Sequence, residues 1–139
     1  MIRRSCQLSI LGCVVASALF VTVWPSSTGA EQNQSVSFAR SIAPIFRERC
    51  LRCHGAEKQE SGLRLDRRKD ALAGGDRGPL VVPKDSAMSL LIKVVTGHND
   101  EELFMPPVDG ALTKKQIELL RRWIDEGAIW PEENADISQ

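Results

Sequence analysis

Cys50-Leu51-Arg52-Cys53-His54 is the most specific stretch of this sequence. Two cysteines three positions apart, followed at once by a histidine, form the attachment pattern for c-type haem. Residues i and i+3 lie on the same side of a helical turn, so the two thiols can reach the two vinyl groups on one edge of a porphyrin. His54 would then hold the iron as the proximal ligand through a ring nitrogen. The stretch therefore predicts one covalently attached haem c.

The N-terminus has the layout of a secretory signal peptide. Arg3 and Arg4 give it a basic start, residues 5–30 carry no charge, and residues 28–30 form a small-residue cleavage site. We therefore predict a signal peptide over residues 1–30, cleaved after Ala30, and export to the periplasm. The apolar stretch is long for a signal and short for a membrane span, so an uncleaved anchor formed by residues 5–24 is the alternative.

The charge and the cysteines that remain after removal of the predicted signal peptide limit the possible functions of the chain. Removal of residues 1–30 takes away two basic residues, which leaves 16 basic against 18 acidic residues, a net charge of about −2. This balance is not that of a nucleic-acid-binding protein. Cys6 and Cys13 lie in the signal region, so only Cys50 and Cys53 remain. In an oxidising compartment such a pair becomes a disulfide, a metal site or a haem tether.

The apolar periodicity predicts a small all-α domain. A first helix is expected to begin at Pro44, with Ser41 or Ile42 just outside, and to run to Cys50 or beyond. Phe38, Ile42, Ile45 and Phe46 have the spacing of one helix face, a pattern that already begins before Pro44. The haem motif would lie at the C-terminal end of this helix. A flexible segment over residues 31–36 precedes this haem domain of residues 37–131, and an acidic flexible tail over residues 132–139 follows it.

Three further helices are predicted after the motif. One runs from Arg67 to Ala73 and ends at Gly74-Gly75, which supply a left-handed cap. Another begins at Asp85 or Ser86 and runs to about Val95, with Leu90, Leu91 and Val94 facing inward. The last begins at the capping box Thr113-Lys114-Lys115-Gln116, ends at Gly127 and packs against the first helix.

Three side chains of the mature chain could supply the sixth ligand of the iron: Met105, Met88 and His98. Met105 is favoured because Pro106 and Pro107 stiffen the backbone that carries it. Met88 is expected on a helix, where methionine usually fills the core, and His98 lies in a polar stretch. Met105 as a packing residue, with the sixth position open, is the alternative.

Other uses of the cysteine pair fit less well. A thioredoxin-like motif needs a βαβ context, which the sequence does not show. Cys50, Cys53, His54 and His98 would suffice for zinc, but adjacent Cys and His ligands are unusual in structural zinc sites. The basic residues around the motif, Arg47, Arg49, Arg52 and Lys58, are interpreted as a solvated face. Steering of an acidic redox partner, or balancing of the haem propionates, is the alternative.

The chain resembles the small cytochrome c modules of Planctomycetes and related bacteria, within the cytochrome c superfamily. The resemblance covers about Val36 to Trp130. Several separated motifs carry it in the same order: Cys50 to Gly55, Ser61 to Asp66, Gly74-Gly75-Asp76, Val82-Pro83, Ser89 to Ile92, Met105-Pro106-Pro107 and Trp123 to Ala128.

The resemblance implies an all-α fold of the class I cytochrome c type around covalent haem c, with His54 proximal and Met105 distal. We therefore expect an exported monohaem electron carrier rather than an enzyme, with a redox protein as donor and another as acceptor. A haem-based sensor and an electron-relay subunit of a larger oxidoreductase are the alternatives. Modules of this kind often form the N-terminal part of much larger proteins, so the identity of the partner stays open.

Overall fold

The computed structural model describes residues 34–97, 104–107 and 110–138. Within these ranges the protein is built from helices and turns and contains no strand, as the sequence predicts. The predicted signal peptide and residues 31–33 of the predicted flexible segment lie outside the described residues, as does His98. The four α-helices are α1 (Ala43–Arg49), α2 (Arg68–Ala73), α3 (Leu90–Thr96) and α4 (Lys114–Asp125).

The first helical segment begins earlier than the sequence predicts. A π-helical turn over Phe38–Ile42, capped by the Ser37 hydroxyl, runs directly into α1. Pro44 has no amide hydrogen to donate, and wide π turns are one way in which a helix accommodates a lost hydrogen bond. The turn is closed by the bond from the Ala43 N–H to the Phe38 carbonyl. The helix ends at Cys50, so the motif lies where the sequence places it.

α2 and α3 differ from expectation at one end each. α2 ends at Gly74 as predicted, but with φ 84° and ψ −167°, a glycine conformation other than the left-handed helical one. α3 begins at Leu90 rather than after Asp85 or Ser86. The Asp85 carboxylate accepts from the Met88 N–H, and the buried Ser89 hydroxyl donates to the Asp85 carbonyl, so side chains hold this segment in turns.

α4 begins as predicted. The Thr113 hydroxyl accepts from the Gln116 N–H, and the Gln116 side chain accepts from the Thr113 N–H. Leu120, Trp123 and Ile124 form its buried face. This reciprocal cap fixes the start of the helix that closes the core.

Four aromatic rings pack between the first helical segment on one side and α4 with the residues that follow it on the other. Phe38 stacks on Trp130 at a centroid distance of 4.0 Å, and Trp123 meets Phe46 edge-on at 6.1 Å. The prediction that the first and last helices pack together is confirmed, and Phe46 and Trp123 are core residues.

The C-terminal residues assigned to a flexible tail are packed against the domain. Ile137 is only 1% exposed, its N–H donates to the Asp66 carbonyl, and its carbonyl accepts from Arg47 Nε. Arg68 donates from its backbone to Ala135 and pairs through its side chain with Glu132. The packed domain therefore continues to Ile137. Through these hydrogen bonds, the C-terminal segment connects α1 to the start of α2.

Within the described residues, no helix combines the length and the apolar character that crossing a membrane requires.

Candidate cofactor pocket

The haem-attachment motif occupies the turn that ends α1. The Cys50 N–H still donates to the Phe46 carbonyl at 2.8 Å, whereas Cys53 and His54 both donate to the Cys50 carbonyl, at 3.1 and 2.9 Å. The chain thus tightens into one more turn after the helix, which carries the three chemically active residues. Both cysteines are free thiols.

Gly55 makes the tight path of this turn sterically feasible. It is buried, and a Cβ atom at this position would lie 2.4 Å from the Leu51 carbonyl oxygen. Real Cβ atoms do not come so close to backbone oxygens. The residue after His54 therefore has to be glycine for the motif to fold back in this way.

The orientation of His54 is fixed by backbone groups. Its Nδ1 lies 3.1 Å from the Glu60 carbonyl oxygen, and its own carbonyl accepts from the Leu65 N–H at 2.7 Å. A carbonyl can only accept, so this contact requires the proton on Nδ1 and leaves the Nε2 lone pair for a metal. Metal-ligating histidines commonly donate their other ring nitrogen in this way.

His54 lines an apolar pocket that encloses roughly 640 Å³ including its open mouth. Six aliphatic side chains form most of its wall: Leu63, Leu65, Leu80, Leu90, Leu91 and Val94. The three residues of α3 in this set are those predicted to face inward, so their shared face turns toward the pocket. Ile92 and Val95 supply the buried face of α3 toward the core.

Met105 lines the same pocket as His54. Its backbone N–H donates to the Val94 carbonyl at 2.9 Å, which fixes it next to the end of α3. Met88, the other methionine weighed as a ligand, is 60% exposed and does not line the pocket. The structure therefore brings together one imidazole and one thioether, both of which are iron ligands in c-type cytochromes.

Burial, with a smaller contribution from Cys53, raises the pKa of the Cys50 thiol to about 12. Redox-active cysteines have lowered pKa values instead, because the thiolate is the nucleophile. In addition, no three of the His, Cys, Asp and Glu residues in the described ranges are grouped closely enough to hold a metal ion. The raised pKa disfavours Cys50 as the attacking thiolate of a redox dithiol. His98, the fourth residue of the zinc hypothesis, lies outside the described residues.

Haem c, the group that the motif implies, fits the residues present. The aliphatic wall offers apolar surface to a flat macrocycle, and the imidazole and the thioether offer the iron a nitrogen and a sulfur ligand. The two free thiols do not line the pocket. Cys53 directly precedes His54, and the Cys50 carbonyl accepts from the His54 N–H in the same turn. The donor set and the lining of this pocket therefore fit a haem.

The basic residues around the motif do not form one continuous free patch. Arg47 donates to the Ile137 carbonyl, and Lys58 pairs with Glu60 at 2.5 Å. Arg52 is exposed, and Arg49 is partly buried. Arg47, Arg52 and Lys58 therefore fit the interpretation as a solvated face, whereas the Nε atom of Arg49 is buried and has no hydrogen-bond partner among the described residues.

Sequence reasoning missed two features near the pocket. The first is the ion pair in which Arg64 donates to both carboxylate oxygens of Asp66, at 2.9 and 2.5 Å, with Asp66 only 1% exposed. The second is the position of the turn Gly75–Gly78, which brings Asp76 and Arg77 into the pocket lining. Gly78 and Pro79 predict a turn in a loop over residues 76–83, but they do not predict that it lies at the pocket.

Comparison with known proteins gives a match to a family model. Residues 50–109 match the family model described as Planctomycete cytochrome C. The matched range begins at Cys50 and includes His54, the pocket-lining leucines and Met105. No curated protein and no solved structure matches the chain.

Proposed function

We propose that this protein is an exported monohaem c-type cytochrome that carries one electron at a time, and the match of residues 50–109 to the family model Planctomycete cytochrome C supports this proposal. The observation that supports this best is the shared pocket of His54 and Met105. An iron that only transfers electrons would be held by protein ligands alone, and His54 and Met105 are the imidazole and the thioether among the described residues of this pocket.

Each residue has a separate role in this proposal. Cys50 and Cys53 tether the haem through thioethers, His54 Nε2 is the proximal ligand, and the Met105 sulfur is the distal ligand. When bound, haem c supplies an iron that takes up and returns a single electron. The aliphatic wall excludes water, and the Glu60 carbonyl keeps the imidazole in one tautomer.

The ligand pair favours electron transfer over catalysis or sensing. Methionine ligation raises the reduction potential, and an iron held by both side chains has no position for a substrate. A sensor would need the distal ligand to be displaced by a small molecule, and a relay subunit would need a larger oxidoreductase beside it. We propose that one redox protein donates the electron and that another accepts it. Nucleic acid is not among the proposed partners.

The predicted export is consistent with covalent haem attachment, which takes place after export. The predicted signal peptide would deliver the chain to the periplasm, with residues 5–24 as anchor if cleavage does not occur. Cytochrome c modules have their thiols occupied by haem, which keeps the pair out of disulfides in an oxidising compartment.

The proposal is tested by intact mass and redox titration of protein matured with the haem c machinery. The denatured chain should carry the mass of one haem and begin at Glu31. The titration should follow a one-electron curve, and the spectrum should not change when small haem ligands are added. A chain without haem, or with two haems, would contradict the proposal.

A further inference from the structure

Arg77 is the one permanently positive side chain among the described residues that line the pocket. The remaining lining is mainly aliphatic, with Asp76 and His54 as its other titratable groups. Arg77 is exposed, so it lies at the solvent edge of the pocket rather than in its depth. A cation at the edge of an apolar pocket is suited to an amphiphilic ligand with an anionic end.

The backbone presents Arg77 on a tight, fixed turn. Gly75 and Gly78 pair with each other, and the Gly78 N–H donates to the Gly75 carbonyl at 2.9 Å. The Asp76 N–H donates to the Ser61 carbonyl at 2.9 Å, which fastens the turn to the neighbouring segment. A Cβ atom on Gly75 would lie 2.4 Å from the same Ser61 oxygen, so the close approach depends on glycine.

The Arg77 side chain makes no hydrogen bond or ion pair with any described residue, unlike several other arginines. Arg64 pairs with Asp66, and Arg68 pairs with Glu132. The adjacent Asp76 carboxylate lies beside Gly62, where a Cβ atom would meet its Oδ1 at 2.8 Å. The guanidinium is therefore available to a ligand in the pocket.

We propose that Arg77 binds a carboxylate of the bound cofactor. This assignment rests on the proposed function, since haem carries two propionate carboxylates at one edge of an otherwise apolar macrocycle. An anion at the edge of an apolar pocket loses part of its hydration and is stabilised by a cation within hydrogen-bond distance. The planar guanidinium can donate two parallel hydrogen bonds to a carboxylate, which an ammonium group cannot do.

The test compares haem-loaded wild-type protein with Arg77→Gln, Arg77→Lys and the matched control Arg40→Gln. Arg40 is also exposed but does not line the pocket. Two properties are measured: the propionate bending vibration by resonance Raman spectroscopy, and the reduction potential. Arg77→Gln should shift the vibration and lower the potential, because loss of a nearby positive charge favours the ferric iron. Arg40→Gln should leave both unchanged.

Arg77→Lys distinguishes the effect of the paired hydrogen bonds from the effect of the positive charge. It should retain most of the potential because the charge stays, and still shift the vibration because the paired hydrogen bonds are lost. Asp76→Asn changes the charge at the same edge in the opposite direction, so it should raise the potential and leave the vibration in place.

The outcomes distinguish this assignment from the proposed function. Haem that remains on the denatured wild-type chain supports the function, whereas its absence overturns both proposals. Haem-loaded Arg77→Gln with the wild-type vibration and potential overturns the Arg77 assignment alone. If Arg77→Gln does not mature, an unshifted vibration in Arg77→Lys overturns the assignment in the same way.

Discussion

The Nδ1 atom of His54 lies 3.1 Å from the backbone carbonyl oxygen of Glu60. The Glu60 N–H in turn donates to the Cys53 carbonyl at 3.0 Å, so the segment that holds the imidazole is fastened to the motif that carries it. The Glu60 side chain faces solvent and pairs with Lys58. The backbone carbonyl of Glu60 therefore makes the hydrogen bond that orients His54, whereas its carboxylate interacts with His54 through charge.

Two substitutions at this position separate the backbone from the side chain. Glu60→Pro removes the N–H that bonds to Cys53 and restricts Gln59, so it should displace the carbonyl that accepts from His54. We expect a changed ferric spectrum and a lower melting temperature of the haem-loaded protein. Glu60→Ala keeps the backbone bonds and should leave the spectrum unchanged. Equal spectra for both variants would contradict the role of this carbonyl.

Met105→Ala tests the distal ligand. Loss of a thioether ligand should lower the reduction potential and abolish the methionine-to-iron charge-transfer band of the ferric protein, because methionine stabilises the ferrous state. Met88→Ala is the matched control, since Met88 is 60% exposed and does not line the pocket. An unchanged band and potential in Met105→Ala would exclude Met105 as ligand.

Gly55→Ala tests the close approach in the motif turn. The added methyl would lie 2.4 Å from the Leu51 carbonyl oxygen, so the backbone must shift. We expect a loss of about 1–3 kcal/mol in the free energy of unfolding, measured by denaturant titration of the haem-loaded protein. Ala56→Ser, at an exposed position next to it, should change the free energy by less than about 0.5 kcal/mol. A Gly55→Ala protein as stable as wild type would show that the turn relaxes freely.

Ile137→Ala tests the packing of the C-terminal segment. Removal of this buried side chain should cost about 2–5 kcal/mol of unfolding free energy, because a cavity remains between α1 and the start of α2. Ile129→Ala removes the same atoms from a side chain that is 62% exposed and should cost about 0.5 kcal/mol or less. If the two variants unfold alike, residues 132–138 do not belong to the packed domain.

Local signals predicted much of this architecture. The motif lies at the end of the first helix, the capping box starts α4 at Lys114, and α2 ends at Gly74. Each of these features depends on neighbouring residues, so the sequence alone carries the information. The inward-facing residues Leu90, Leu91 and Val94 of α3 were also predicted, and they line the pocket in addition to contacting the core.

Features that depend on tertiary contacts could not be predicted. Ile137 is a lone apolar residue in a polar stretch and shows no periodicity, so its burial depends on Asp66 and Arg47 coming near it. Leu63, Leu65 and Leu80 reach the pocket from segments without regular structure. The π turn before α1 reflects how Pro44 is accommodated, which the apolar pattern does not record.

Covalent attachment through Cys50 and Cys53 is tested most directly by a pyridine haemochrome spectrum after extraction with acidified acetone. The protein is made with the haem c maturation machinery, as wild type, Cys50→Ala, Cys53→Ala and the double variant. Wild-type protein should keep its haem and show the band position of a haem with two thioethers. In each single variant, the band should be displaced toward the position of a haem with one free vinyl group. The double variant should release its haem. Wild-type protein that holds no haem, or loses it to the solvent, would contradict the cytochrome assignment.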